Sequence, residues 1–477
     1  MSQAVSPPIS PKLQALFDAQ RAWRWRAAQT DAEARRTILR HLREGLRRHR
    51  TALADALARD LGKSRAEAEI TELHPVMEEI GHTLRHLPRW MAPRPVSTPA
   101  ALLGTRSEVQ SQARGVTLIL GPWNYPVNLT LMPLVASLAA GNTVILKPSE
   151  KAPATAEALR RLLEEVFEPH LVAVVLGDAG VAEGLTRMPF DHIFFTGSGP
   201  VGRRVLAAAA ENLTGVTLEL GGKSPALVHA SADLDLTAQR LGWGKFLNAG
   251  QTCVAPDYAL VPEALRDTFV ERLRGLIAYR FGEGEHLRAG PDYGRMVDAR
   301  SVERLERLTR ESVAAGARVA LGGEFDASAR FVSPTLVTGV TPEMPLMAEE
   351  LFGPVLPVLT YRTFDEALAL IRRLDPPLAL YTFAEDPAAV ARVQNETTSG
   401  GLIVNGTIIH LSNPNLPFGG VGASGMGRYH GEYGFRTFSH ERAVMVEGRN
   451  SAIRFMYPPY GRPVPRFLAW ALRHMER

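Results

Sequence analysis

From Val116 to Leu220 short apolar runs alternate with longer amphipathic stretches, and few folds accommodate that rhythm. Val116-Thr117-Leu118-Ile119-Leu120 is stopped by Gly121-Pro122, residues 129–140 carry helical periodicity, and Thr143-Val144-Ile145-Leu146 is the next apolar run. Helices over 155–167, 181–188 and 201–210 then alternate with strands over 171–176, 192–195 and 216–220. A helix between successive strands returns the chain to the same edge, so the strands pair in parallel. The prediction is an α/β, doubly wound sheet that takes ligands at its strands' carboxyl ends.

After Gly221-Gly222 a second series begins: strands over 226–228 and 258–261, helices over 236–248, 301–315 and 364–374, further strands near Val319 and Leu336, and one over 402–404. This predicts a second α/β domain, and 477 residues exceed what one core usually supports. From Pro11 to about residue 86 the spacing is helical, with Gly62 ending one helix. Pro88, Pro93, Pro95 and Pro99 break that pattern and mark a linker or excursion. The glycine-dense stretch 418–434 reads as a loop closing over something.

Charge and composition exclude more than they assign. The net charge of +4 comes from Arg-rich helical stretches without interleaved aromatics, the pattern of a solvated face and not of a nucleic-acid site. The start, Met1 to Pro8, lacks the layout of a signal peptide, and no run reaches the roughly 18 apolar residues of a membrane span. Phe467-Leu468-Ala469-Trp470-Ala471-Leu472 is bounded by Arg466 and Arg473 and reads as a docked terminal helix. A chain with one cysteine suits a reducing compartment, so a cytoplasmic location is expected. No metal site is expected, because the histidines and the cysteine have no ligand spacing.

Cys253, in Gly250-Gln251-Thr252-Cys253, is the only cysteine. It forms no internal disulfide, which leaves packing residue, incidental thiol or nucleophile. Asn124, between Pro122 and Pro126 just past a strand end, is either a turn residue or an amide donor to a developing oxyanion. Lys147-Pro148-Ser149-Glu150 also follows a strand. Glu150 either accepts ribose hydroxyls or sits at a helix N-terminus capped by Ser149. Thr196-Gly197-Ser198-Gly199-Pro200-Val201-Gly202 turns a strand into a helix whose first amides suit a pyrophosphate. It lies late in its domain, unlike the usual dinucleotide fingerprint. Glu219 ends an apolar strand, where a carboxylate must find a cation or carry a raised pKa; Glu350 poses the same choice less sharply.

Together these stretches resemble the aldehyde dehydrogenase superfamily. The resemblance rests on Trp123-Asn124-Tyr125-Pro126, Lys147-Pro148-Ser149-Glu150, Phe195-Thr196-Gly197-Ser198, Leu218 to Lys223, Gly250 to Cys253, Glu350-Leu351-Phe352-Gly353-Pro354 and Pro417-Phe418-Gly419-Gly420, in the family's order. Ile409-His410 and Ser424 to Gly431 make it similar to the class 3 type, which oxidises fatty, medium-chain and aromatic aldehydes. The resemblance implies an NAD(P)-binding domain over 1–95 and 114–221, a catalytic domain over 222–424, an oligomerisation arm over 96–113 and 435–447, and a tail over 448–477. It implies a homodimer without a membrane anchor.

By the same resemblance Cys253 is the nucleophile, Asn124 and the Cys253 amide hold the oxyanion, and Glu219 activates the deacylating water. Lys147 and Glu150 take the adenosine ribose, Gly197, Ser198 and Gly202 form the pyrophosphate turn, and Glu350 and Phe352 flank the nicotinamide ribose and ring. Tyr125 and Trp243 line the aldehyde tunnel. NAD is the expected cofactor, with NADP as a second. A CoA-acylating dehydrogenase has no evident use for Glu219, and a cofactor-binding protein without turnover has none for Asn124, Glu219 and Cys253 together. An aldehyde-forming reductase would not be expected to keep the Glu350 and Phe352 stretch.

Overall fold

The fold was obtained as a computed structural model that describes residues 10–99 and 102–459, with Arg466 and Trp470 beyond them. Most of the predicted terminal helix and tail lies outside the described residues.

Three long helices open the chain, Pro11–Ala28, Ala32–Leu61 and His74–Met91, the last entered through a short helix Arg65–Ala68 and a π-helical segment Glu69–Leu73. Local chemistry sets their limits. Ser10 and Asp31 accept hydrogen bonds from Leu13 N and Ala34 N, and Gly62 ends the second helix at φ +68°, as predicted. Helix His74–Met91 runs through Pro88, where a break was expected. A proline in the last turn removes only its own N–H from a helix already ending, and the chain turns extended at Ala92.

The alternating region forms a six-stranded sheet in the order Gly425–Met426, Gly215–Glu219, His192–Thr196, Val116–Leu120, Thr143–Lys147, Val172–Val174. All neighbours are parallel except the first pair. Every residue of Val116–Leu120, Thr143–Lys147 and His192–Thr196 is buried, as befits strands covered by helices on both faces. The second series builds a seven-stranded sheet, Arg318–Leu321, Thr335–Thr338, Val355–Tyr361, Tyr258–Pro262, Pro225–Val228, Ala379–Phe383, Gly401–Val404, parallel after its first pair. A three-stranded antiparallel sheet of Arg94–Val96, Thr105–Ala113 and Ser439–Glu447 stands mostly exposed.

Two stretches differ from the sequence reading. Ser149 caps no helix: its hydroxyl accepts from Lys151 N, and the next helix starts at Pro153 behind Ala152. The region 418–434 is not all loop, since Gly425–Met426 pairs with Glu219 and Leu218 and a helix spans Gly431–Thr437.

Candidate active site

Cys253 sits just beyond a tight turn, Leu247–Gly250, in which Asn248 and Ala249 adopt φ of +52° and +51°. Non-glycine residues in that region are strained and persist only where neighbours hold them. Here Gln251, fully buried, does the holding. Its Nε2 donates to Asn248 O at 3.0 Å and Arg295 O at 2.9 Å, and its Oε1 accepts from Val297 N at 2.8 Å. Gly250 has φ +74°, and a Cβ there would meet Gly353 O at 2.3 Å. The glycine therefore lets the cysteine loop lie directly on the segment that carries Glu350 and Phe352.

Asn124, Glu219 and Cys253 line one cavity of about 1080 Å³. Asn124 Nδ2 donates to Gln251 O at 3.0 Å, which leaves its second N–H unused by that bond. Glu219 is 2 % exposed, and neither of its carboxylate oxygens has a hydrogen-bond partner. Burial lifts its pKa well above the ordinary carboxyl value, since no partner in the folded site stabilises the charged form. Burial also pushes the Cys253 thiol up, helped by the facing Glu350 and Glu219 carboxylates and opposed by the Cys253 and Val254 amides. Glu350 is raised to about 8, chiefly by burial, with Asp257 adding to it. Its carboxylate crosses Gly221, where a Cβ would lie 2.3 Å from Oε2.

Lys147, Glu150, Gly197, Ser198, Glu350 and Phe352 lie on the same cavity wall. Lys147 Nζ is 2.5 Å from Glu150 Oε2. Burial works against ionisation of Glu150, and the Lys147 ammonium, the Glu150 backbone N–H and Lys151 together outweigh it, so the carboxyl titrates below its ordinary value. Ser198 stands at the N-cap of helix Gly199–Ala210 without making a side-chain capping bond. Phe352, at φ +48°, packs edge-on against Trp123 with ring centroids 5.3 Å apart.

The aldehyde dehydrogenase family pattern matches residues 13–444. This chain belongs to the aldehyde dehydrogenase family. It is an NAD(P)-dependent aldehyde dehydrogenase with class 3 relatives. It is 42 % identical over 430 residues to the 4,4'-diaponeurosporen-aldehyde dehydrogenase of Staphylococcus aureus, covering 90 % of this chain and 93 % of that one. It is 40 % identical over 460 residues to the dimeric NADP-preferring aldehyde dehydrogenase of Rattus norvegicus, covering 96 % and 99 %. The structure described as the substrate-bound state of Staphylococcus aureus AldH superposes with a TM-score of 0.91 at 38 % identity, over 98 % of this chain and 99 % of that one.

The aldehyde dehydrogenase cavity suits a dinucleotide by its own geometry. It reaches past the helix N-terminus at Ser198 to the small residues Ala179, Gly180 and Ala182, and Thr196 Oγ1 on its wall is buried without a partner. Three predicted residues are not on that wall. Gly202 faces inward, where a Cβ would lie 2.8 Å from Leu220 Cδ2, so its smallness serves helix-to-strand packing. Tyr125 is buried with its hydroxyl 2.6 Å from Thr252 Oγ1, and Trp243 is half-exposed on helix Leu234–Phe246.

Sequence reasoning gave Arg304 and Lys223 no roles of their own. Arg304 donates to Glu350 O at 3.2 Å and to Leu351 O, bracing the segment behind Phe352. Lys223 pairs with Asp257 and donates to Leu346 O and Glu349 O at 2.9 Å each. No helix among the described residues is long and apolar enough to cross a membrane.

Proposed function

We propose that this aldehyde dehydrogenase oxidises medium- to long-chain aliphatic or aromatic aldehydes to carboxylic acids through a thioester on Cys253. The reading rests on one observation: the only thiol, an unpartnered buried carboxyl and an amide donor line a single cavity.

Cys253 attacks the aldehyde carbon as thiolate. The Cys253 and Val254 amides favour that anion, and the thiol proton passes through ionised Glu219 to bulk water, which leaves Glu219 basic again for the later step. The tetrahedral oxyanion is held by the second Asn124 N–H and the Cys253 amide, each aligned donor worth about 3 kcal/mol. The bound NAD(P) supplies the hydride acceptor. Glu219, ionised once water reaches it, takes a proton from the water that attacks the thioester, and the acid leaves as Cys253 regains its thiol.

Lys147 and Glu150 hold the adenosine ribose, the amides after Gly197 and Ser198 hold the pyrophosphate, and Glu350 and Phe352 flank the nicotinamide half. Tyr125 and Trp243 border the aldehyde approach. Residues 1–95 and 114–221 form the cofactor domain and 222–424 the catalytic domain. The arm over 96–113 and 435–447 pairs two copies into a cytoplasmic dimer.

The test is formation of reduced cofactor with acetaldehyde, hexanal, decanal, benzaldehyde and a cinnamyl-type aldehyde, with and without CoA. CoA-independent turnover with kcat/KM higher for the larger aldehydes than for acetaldehyde is expected. An absolute CoA requirement would replace hydrolysis with acyl transfer to a thiol, and NAD binding without turnover would make this a protein that only binds its cofactor.

A further inference from the structure

Behind the oxyanion donor lies a buried ion pair that touches none of the cavity. Lys63 and Glu72 are 1 % and 0 % exposed, with Nζ 2.6 Å from Oε1. A buried pair of this kind is weak evidence for stability, because the desolvation of two charges offsets most of their attraction. Its other contacts indicate what it does. Lys63 Nζ donates to Asn124 O at 2.9 Å and stands 3.9 Å from the centroid of the Tyr125 ring. Glu72 Oε2 accepts from Val127 N at 3.1 Å and Asn128 N at 2.9 Å, where helix Asn128–Ala140 begins.

The pair therefore grips the turn 124–128 at both ends. A second donor reaches the same carbonyl: Asn248 Nδ2 is 2.9 Å from Asn124 O, and the Asn248 backbone N–H donates to Glu67 Oε1 at 2.9 Å. Glu72 sits in the five-residue π-helical segment Glu69–Leu73, a distortion frequent at functional sites. Two donors on one carbonyl fix the plane of the peptide that follows Asn124. That plane sets the direction of the side-chain amide, whose other anchor is Gln251 O.

We propose that Lys63 and Glu72 are positioning residues for oxyanion stabilisation: they orient Asn124 and contact no reactant themselves. The inference rests on Asn124 acting as the oxyanion donor. An amide donor displaced by about 1 Å loses most of its benefit, on the order of 10²-fold in rate. The pair is thus tied to the first chemical step more than to binding.

The experiment is the single-turnover rate of reduced-cofactor formation at saturating NAD with enzyme in excess over hexanal. Lys63→Met alone leaves Glu72 charged and unpaired and so risks the fold, whereas Lys63→Met/Glu72→Gln removes both charges at similar volume. The double variant is expected to keep the wild-type thermal midpoint and NAD affinity while the single-turnover rate falls about 10- to 100-fold. Asn124→Ala is expected to lose about 10²- to 10³-fold, and adding the pair substitutions to it should cost nothing further. Should the double variant not fold, Asn248→Gly, which suits the positive φ there, removes the second donor to the same carbonyl together with its 3.2 Å bond to Gln251 O, and should slow the step about threefold to tenfold.

An unchanged rate in Asn124→Ala would remove the oxyanion reading itself. A slow Asn124→Ala combined with a wild-type rate in the folded double variant, or in Asn248→Gly where that stands in, would overturn this inference alone. Losses that multiply when the pair substitutions are added to Asn124→Ala would overturn it as well.

Discussion

At the scale of single residues the proposed mechanism depends on two groups whose burial opposes their own reactivity. Cys253 and Glu219 are both pushed toward their protonated forms, so the active ionisation is reached only as pH rises. The initial rate should climb from neutral toward alkaline pH, because a carboxyl with a raised pKa offers its basic form only above that value. Glu219→Gln should give a rapid burst of reduced cofactor followed by a steady state slower by about 10² or more; a missing burst would count against the assignment of deacylation to Glu219. Cys253→Ala should abolish turnover while isothermal titration still reads wild-type NAD affinity, and retained turnover would remove the thiol from the mechanism. Cys253 stood out as the only thiol of the sequence, but three roles stayed open for it until the family resemblance singled out one. Lys63 did not stand out, because its role depends on a contact with Asn124 that folding alone creates.

At the scale of elements, the close approach of Gly250 to Gly353 joins two segments that are far apart in sequence. Gly250→Ala places a Cβ 2.3 Å from a carbonyl oxygen at φ +74°, and the φ strain alone costs roughly 1–3 kcal/mol. The thermal midpoint should drop and kcat should fall with it, because relief of the clash moves the cysteine loop; a variant with both unchanged would show that the loop tolerates the displacement. The alternation of strand and helix was readable between Val116 and Leu220 because buried parallel strands are short apolar runs bounded by Gly and Pro. Less of the second sheet was readable. Strand Val355–Tyr361 follows Pro354 and contains Pro357, and helix Arg266–Phe281 mixes Arg and Glu around a thin apolar stripe, so neither signal stood out.

At the scale of the whole molecule, the chain ties an early helix to a late one. Glu79 on helix His74–Met91 is 3 % exposed, and its Oε1 accepts from Gly431 N at 2.8 Å. Burial raises its pKa to about 7 against an ordinary 4.5. Between those values the folded chain holds a proton that the unfolded chain has released. The contribution is therefore fully present below about 4.5 and is lost as pH rises to about 7. Glu79→Gln should match the wild type at the acid end of that window and be more stable by up to about 3 kcal/mol at about pH 8, read by denaturant unfolding at both pH values. An unchanged difference across the window would mean that Glu79 ionises elsewhere. Fold class was legible at this scale. Strand order was not, since pairing across such distances leaves no periodic trace in the sequence.

One continuous stretch of backbone runs from the carboxylate-bearing strand to the outermost ribbon. Gly425 pairs with Glu219, the chain passes through the helix that Glu79 grips, and it emerges as Ser439–Glu447, which among the described residues is paired along the side facing Thr105–Ala113 alone. From the strand partner of Glu219 to the start of the ribbon is a run of only about a dozen residues, from Met426 to Ser439. Whatever seats itself on the ribbon therefore rests on the same unbroken run of chain that lies against Glu219.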